Sequence, residues 1–210
     1  MRLRPMRAGF ALLCLLVVAS AAEATVQRRE ATIVDLVGQS ELILRGRIRD
    51  VTDGIDARGI PYTEVTVTVA DAIRGAVGSE YKFRQFGLLK PKRMANGQVN
   101  LMVTPAGWPT YAKGEDTLLF LYKHAKWTGL QTTVGLGNGR FKVALAGASN
   151  QADNAGLFRH VEFDPSVLGE REQRVFRTER GPVNATAFVS LVRQIVKNRW
   201  IEQGSMRNER

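Results

Sequence analysis

Alternating apolar and polar residues mark one long run, residues 62–75, around which the other predicted elements are arranged. Val65, Val67 and Val69 alternate there with glutamate and threonine. Side chains of a strand point to opposite faces in turn, so the three valines share one face. β-branched residues also suit a pleated, half-buried surface. The pattern predicts an amphipathic strand that ends at Gly75.

Shorter runs predict further strands. Residues 117–122 are almost wholly apolar, which is typical of a strand buried on both faces. Residues 129–136 and 139–145 form a predicted strand pair, since the glycines at its turn suit positive φ. The other predicted strands are residues 42–51, 81–86, 99–103 and 158–163.

Helical spacing of apolar residues predicts two helices. Residues 30–38 form a short helix, because their apolar side chains recur at helical intervals. Asn184 is a predicted N-cap for a second, amphipathic helix that runs to about residue 200. Its apolar stripe consists of Phe188, Leu191, Val192, Ile195 and Val196.

Three regions show neither pattern. Residues 147–156 are small and polar and predict a mobile loop, and residues 164–182 have poor periodicity. Residues 204–210 are polar and predict a disordered tail. No internal repeat or change of composition divides the chain, so we predict one domain over residues 25–203.

Six to eight short strands between two helices predict a mainly β fold. An antiparallel β-barrel or sandwich with a short N-terminal helix and a C-terminal amphipathic helix is expected. A barrel of OB-like type is favoured, because closure removes the exposed strand edges of a chain without crosslinks.

The N-terminus has the layout of a secretory signal peptide. Three arginines precede an uncharged apolar run, residues 8–20, and small residues follow it up to Ala24. We therefore expect cleavage after residue 24 and a periplasmic or extracellular location. An uncleaved anchor is the alternative, although the run is shorter than the ~20 residues of a spanning helix. No transmembrane segment is predicted in the mature chain.

Charge and cysteine content limit the classes of site and of binding partner that we expect. Cys14 is the only cysteine and lies in the apolar run, so the mature chain has no disulfide and no thiolate site. The formal net charge is +10. Outside the cytoplasm this charge favours acidic proteins, acidic glycans or the envelope surface over nucleic acid. The competing interpretation is that the positive charge only keeps the protein soluble.

Five segments together resemble a group of small bacterial exported β-domains. They are SELILRGRIRDV, YTEVTVTVADAIRG, YKFRQFG, KGEDTLLFLY and TTVGLGNGRFKV, within residues 40–143. The first two are also similar to the netrin module and tissue inhibitors of metalloproteinases, which implies an OB-fold barrel with helices near both ends. Those inhibitors place an N-terminal cysteine on zinc, whereas Thr25 would be the terminus here. The resemblance therefore implies the fold and not the inhibitory mechanism.

The sequence contains no complete catalytic or metal motif. His124 and His160 could serve a secreted hydrolase only with a nucleophile and a carboxylate beside them. A protease-associated role, including inhibition, is a further alternative. Asp50, Asp53 and Asp56 lie in a glycine-containing loop but do not match a calcium-loop pattern. We predict no catalytic residue, metal or cofactor.

Basic and aromatic loop residues are the candidate binding site. Lys90, Lys92 and Arg93 form one basic loop, and Trp108 and Tyr111 follow in a Gly/Pro-bounded loop. The aromatic rings could stack on a ligand or could cover the core. A third group, arginines every third residue from 171 to 180, interleaves with glutamates and favours local ion pairs. The expected function is noncatalytic binding of an acidic protein, glycan or envelope surface.

Overall fold

The structure, a computed structural model, describes residues 31–143 and 150–209. In these ranges the protein is mainly β, with antiparallel sheets and three α-helices. The helices are α1 (Ile33–Gln39), α2 (Glu170–Arg177) and α3 (Ala185–Lys197). The strands are β1 (Leu42–Ile55), β2 (Pro61–Arg74), β3 (Glu80–Phe86), β4 (Lys92–Arg93), β5 (Val99–Asn100), β6 (Asp116–Leu121), β7 (Arg140–Lys142), β8 (Gln151–Asn154), β9 (Val161–Glu162), β10 (Gly181–Asn184) and β11 (Arg207–Asn208).

A five-stranded antiparallel sheet in the order β3-β2-β1-β6-β7 forms the centre of the fold. β1 pairs with β2 along its whole length and with β6 along its first half. The predicted alternation of β2 is confirmed at Val65 and Val67, which are fully buried, whereas Val69 is only partly buried and Thr66, on the predicted polar face, is also buried. Three two-stranded sheets, β10-β8, β11-β9 and β4-β5, and two isolated bridges complete the pairing in the described chain, which contains no closed barrel.

The sheet is buried on both faces. Leu44, Val65 and Phe83 lie in a core on one face. Ile43 and Phe120 lie in a second core, which α1, α2 and α3 cover. β6 lies between the two cores, and its residues 118–121 are all fully buried. The prediction that this strand is buried on both faces is therefore confirmed.

Both predicted helices are present. α1 begins at a capping box, in which the Thr32 hydroxyl accepts from the Asp35 N–H and the Asp35 carboxylate accepts from the Thr32 N–H. At its other end, Arg74 donates to the carbonyl oxygens of Val37 and Ser40. α3 begins after Asn184, whose side chain accepts from the Ala187 N–H at 2.9 Å, as the sequence predicts.

The predicted strand pair over residues 129–136 and 139–145 is wrong in its first half. Residues 132–134 run beside β6, where Tyr122 N–H donates to Thr132 O at 3.0 Å, and Leu136–Gly139 form a turn of 3-10 helix. Both segments pair with the same edge of β6, one after the other, with Thr133 opposite Leu121 and β7 opposite residues 117–119. They therefore pair with β6 and not with each other. β7 forms as predicted up to Lys142, and residues 144–145 lie outside the described ranges.

Other corrections concern regions without apolar periodicity. Gln151–Asn154, predicted to be a mobile loop, form β8 and pair with β10, while residues 147–149 lie outside the described ranges. Residues 170–177 form α2, which buries Val175. The predicted tail disorder is wrong, because Met206 is fully buried and β11 pairs with β9. Contacts with residues that are distant in the sequence hold these segments in place. The predicted signal peptide lies outside the described residues.

Candidate functional site

The turn between β1 and β2 is the anchor for the loops at one end of the sheet. The Asp56 carboxylate accepts hydrogen bonds from the N–H groups of Ile60 at 2.8 Å and Arg58 at 2.9 Å. These bonds, with the Arg58 guanidinium, hold the pKa of Asp56 below its usual range. The turn thus has a fixed shape, and the loops that contact it are held at the same end, which we call the turn end.

Residues 88–104 leave β3 at the turn end and return to it as a projecting hairpin, which we call the arm. Leu88 N–H donates to Met102 O at 2.9 Å, and Thr104 N–H donates to Leu88 O at 2.9 Å. Gly87, at φ +102°, makes this closure possible, because a Cβ there would lie 2.5 Å from Thr104 Cα. Farther out, β4 pairs with β5.

Asp53 of β1 ties the arm to the turn end. Its carboxylate accepts from Leu89 N–H at 3.0 Å and from Lys92 Nζ at 3.2 Å. Lys90 and Arg93 are exposed on the same segment, and neither forms an ion pair with a described acidic residue. The arm therefore keeps an excess of positive charge.

Large apolar side chains are exposed along the arm. Leu101 is 71% exposed and the others range from 38% to 53%. They are Leu89, Val99, Leu101, Met102 and Val103. Contiguous exposed apolar side chains are typical of a binding surface, whereas single ones are common on any protein.

A second projection at the turn end carries Trp127. Residues 123–130, the Trp127 loop, are closed by Ala125 N–H donating to Leu130 O at 2.8 Å. Arg58 fixes this loop to the β1–β2 turn through hydrogen bonds to Trp127 O and Thr128 O. The Trp127 side chain is 89% exposed, so nothing in the described chain covers its ring.

An apolar groove of about 270 Å³ lies beside the Trp127 loop. Phe86, two residues before the arm, and Trp108 line it with ring centroids 6.3 Å apart. Ala125 and Leu130 of the Trp127 loop also line it, as does Lys123. The arm and the Trp127 loop are both held at the turn end, through Asp53 and Arg58, and with the groove they form one face there.

The structure separates the five predicted binding residues. Lys90, Lys92 and Arg93 are exposed on the arm, and Trp108 lines the neighbouring groove. Tyr111 is buried and packs edge-on against Phe83 at 5.6 Å. Its ring covers the core, which is the second of the two roles that the sequence leaves open.

Sequence reasoning missed the apolar part of this face. Residues 99–103 are predicted to be an ordinary strand, although VNLMV places apolar side chains on both of its faces. A strand of that kind needs cover on two sides, but its backbone partners are the two-residue β4 and Leu88, whose N–H donates to Met102 O. Trp127, flanked by Lys126 and Thr128, was a second signal, because a tryptophan among polar neighbours has no local partner.

Neither histidine is placed for hydrolysis. His124 Nε2 lies 3.0 Å from the Tyr81 hydroxyl, which donates to Gln131 at 2.7 Å. Burial raises the pKa of Tyr81, so the phenol stays neutral at ordinary pH. His160 Nδ1 lies 2.9 Å from the Glu209 carboxylate. Across residues 31–143 and 150–209, no serine or threonine hydroxyl hydrogen bonds to either histidine.

The other candidate motifs have structural roles. Asp53 and Asp56 each accept N–H groups, and the described residues contain no group of three or more metal-ligating side chains. Gly135 has φ +64° and precedes the 3-10 turn. Arg171 and Arg174 line a second groove, of about 520 Å³, between α2 and β10. This groove lies on the helical layer and forms a rival basic surface.

Neither a protein-family model, nor a curated protein, nor a solved structure matches the chain. The family resemblance of the sequence therefore stays a prediction. None of the helices in the described ranges has both the length and the apolar composition needed to cross a membrane.

Proposed function

We propose that this protein is an exported, noncatalytic binding domain that holds an acidic ligand at the turn end of its sheet. The ligand is an acidic protein, a glycan or an envelope surface. Export is supported by the signal-peptide pattern of residues 1–24, and the net charge of +10 suits a negatively charged partner.

The position of the exposed apolar side chains is the observation that supports this function most strongly. Seven large apolar side chains are exposed in the described residues, and six of them lie on the arm or the Trp127 loop. Val167 is the exception. The same two segments carry five exposed basic residues: Lys90, Lys92, Arg93, Lys123 and Lys126. Apolar exposure and positive charge together are typical of a surface that binds an acidic partner.

The proposal includes a partly closed, OB-like barrel as the scaffold of this face. Gln131 N–H donates to Arg84 O at 2.7 Å, which links the segment beside β6 to β3 at the opposite edge of the sheet. Gln85 Nε2 donates to Pro109 O at 2.8 Å and adds a side-chain link. Such links support a barrel whose gap is bridged by loops, with the binding face at its turn end.

Retention of the protein on envelope fractions tests the function. The mature chain is immobilised and exposed to detergent-free envelope fragments at low and high salt. We expect retention at about 0.05 M salt and release at about 0.5 M, because screening weakens attraction between exposed charges. Salt-independent retention, or none, contradicts the proposal.

Two charge-reversal variants locate the binding surface. The first replaces Lys90, Lys92 and Arg93 by Glu, and the second replaces Arg171, Arg174 and Arg177 by Glu. Both change the net charge equally, and all six side chains are exposed. The proposal predicts that only the arm variant loses retention. Equal loss in both would indicate attraction to net charge, and loss in the α2 variant alone would assign the site to the rival groove.

A further inference from the structure

We infer that the acidic ligand is the surface of an anionic phospholipid bilayer, into which the arm and the Trp127 loop insert their apolar side chains. This inference rests on the proposed function and specifies the ligand of the same face. It follows from the kinds of side chain at the turn end, from the state of the backbone there and from the shape of the face.

The exposed side chains have the chemistry of a membrane interface. Leu101 and Met102 are long and apolar, and Trp127 combines a large ring with one N–H donor. Tryptophan prefers the head-group level of a bilayer, where its ring lies in an apolar region and its N–H contacts water. Leucine and methionine reach deeper, and their burial in acyl chains provides the attraction.

Basic residues surround these apolar side chains. Lys90, Lys92 and Arg93 follow Leu89 on the arm, and Lys126 precedes Trp127. Long basic side chains can lie along an apolar surface while their charged ends reach lipid phosphates. The two carboxylates of this face, Asp53 and Asp56, already accept N–H groups within the protein. The face therefore presents cations to the lipid.

Part of the backbone of both projections is hydrogen bonded within the protein. On the arm, Met94 N–H donates to Gln98 O at 2.8 Å, and the Asn100 side chain accepts from Met102 N–H at 2.9 Å. In the Trp127 loop, Gly129 N–H donates to Ala125 O at 2.8 Å. These groups lose no water partner on insertion, and they therefore lower the main cost of entering a bilayer, which is the transfer of unpaired polar groups out of water.

The shape of the face favours a fluid partner. Two separate projections are tied to the β1–β2 turn end, the arm through Asp53 and the Trp127 loop through Arg58, and each exposes large apolar side chains. A folded protein would need two matching pockets at the right distance, because rigid interfaces require close shape complementarity. A bilayer accepts both projections without such a match. A protein partner is the competing outcome of the test below.

Cosedimentation with vesicles tests the inference. The mature chain is mixed with phosphatidylcholine vesicles that contain or lack phosphatidylglycerol. We expect binding to the anionic vesicles alone, weakened by high salt. Leu101→Asp should weaken binding about tenfold or more. It removes an apolar side chain that the bilayer would bury, and it adds a negative charge that the anionic lipid repels. Val167→Asp, at a position that is 60% exposed away from this face, is the matched control and should bind like the wild type.

Tryptophan fluorescence gives a second readout. Lipids with brominated acyl chains should quench the wild type, and Trp127→Phe should lose most of that quenching. Trp108 packs against Phe86 in the groove at 6.3 Å, and Trp200 packs against Phe163 at 4.7 Å within the protein. The inference is overturned if anionic vesicles do not bind, or if L101D and V167D lose binding equally.

The two proposals fail in different ways. Salt-sensitive retention on envelope fragments, lost in the arm variant, together with no binding to anionic vesicles, would identify a protein or glycan partner. The proposed function would then stand and the bilayer inference would fall. No retention and no vesicle binding would contradict both.

Discussion

Gly46 lies at a register shift of the β1–β2 pair, and its lack of a side chain allows close contact with Thr68 of β2. A Cβ at this position would lie 2.3 Å from Thr68 O and 2.7 Å from Val67 Cγ1. The Thr68 oxygen belongs to the backbone of the paired strand and cannot move without disturbing the ladder. Small side chains at such positions are therefore required by packing and not by backbone conformation.

We predict that Gly46→Ala lowers the free energy of unfolding by about 1–3 kcal/mol, the usual range for overpacking a core. Urea denaturation measures this. Gly38→Ala is the control, because its nearest contact would be Ile201 Cγ2 at 3.9 Å and alanine favours the helix by up to about 1 kcal/mol. If both variants are equally stable, the close approach of the strands is not present.

Tyr111 contributes to the core through its ring and not through its hydroxyl. The hydroxyl oxygen is buried without a hydrogen-bond partner among the described residues, and the nearby Thr133 hydroxyl donates instead to Leu136 O at 2.6 Å. An unpaired buried polar group costs about 1–3 kcal/mol. We predict that Tyr111→Phe leaves the protein equally stable or stabilises it, while envelope retention is unchanged. A loss of retention in this variant would return Tyr111 to the binding face.

Because Tyr111 is buried, we also predict that the free energy of unfolding falls at alkaline pH. Burial raises the pKa of Tyr111 far above its ordinary value of 10.0. A group whose pKa is raised by folding stabilises the protein below its unfolded pKa and loses this effect as the pH rises. Unfolding measured at intervals from pH 8 to about 12 should show a decline above about pH 10 that is smaller in Tyr111→Phe. Identical pH profiles would contradict this assignment.

At the scale of elements, a buried ion pair joins β7 to the segment before β6. Arg140 pairs with Glu115, and their side chains are only 12% and 13% exposed. The Arg140 guanidinium also lies 5.4 Å from the centre of the Tyr111 ring. Removing Arg140 would leave the largely buried Glu115 with only the exposed Lys142, 3.7 Å away, as an ion-pair partner, and this is more costly than losing an exposed pair.

We predict that Arg140→Met destabilises the protein by roughly 3 kcal/mol. Arg47→Met should cost much less, because Arg47 is 63% exposed in its pair with Asp116. Thermal or urea unfolding of the two variants under the same conditions makes the comparison. Similar losses in both would show that the Arg140 pair is solvated.

The C-terminal segment belongs to the helical core. Met206 is fully buried, and its N–H donates to Trp200 O at 2.9 Å. Asn208 contacts the N-terminus of α1, where its side chain accepts from the Thr32 hydroxyl at 2.6 Å and donates to Asp35 at 3.0 Å. We predict that Met206→Ala costs about 2–5 kcal/mol of stability. The exposed Glu209→Ala should cost little, and equal stability of the two variants would restore the disordered tail.

Elements with a local pattern could be predicted from the sequence, and elements that depend on distant partners could not. Val65, Val67 and the apolar residues of β6 carry their own period, and the structure buries them accordingly. α2 has only Val175 and Phe176 as adjacent apolar anchors, so its stripe is too short to detect. β8 and β11 form because β10 and β9 lie beside them, which no local pattern encodes.

The candidate site could be predicted in its charged part and at Trp108, which lines the groove. Lys90, Lys92 and Arg93 are polar in any fold, so a loop that contains them is exposed in most structures. Whether Leu101 and Trp127 are covered depends on what packs against them, and this is decided by the tertiary fold. The exposure of these apolar residues therefore follows from the tertiary fold and not from the local sequence.

At the scale of the whole molecule, the apolar side chains that form the cores and the apolar side chains that are exposed lie in different parts of the fold. The helices cover one face of the sheet, and the second core fills the other. Within residues 31–143 and 150–209, the turn end carries six of the seven large exposed apolar side chains together with a local excess of lysine and arginine. This division of surfaces is the central claim about how the chain functions.

Lysine labelling in the presence of envelope fragments tests that claim most directly. An amine-reactive reagent is applied to the free and the envelope-bound protein, and mass spectrometry measures modification at each lysine. We predict protection of Lys90, Lys92, Lys123 and Lys126, with no change at the exposed Lys142 and Lys197. Protection spread evenly over all lysines, or confined to Lys142 and Lys197, would contradict the account.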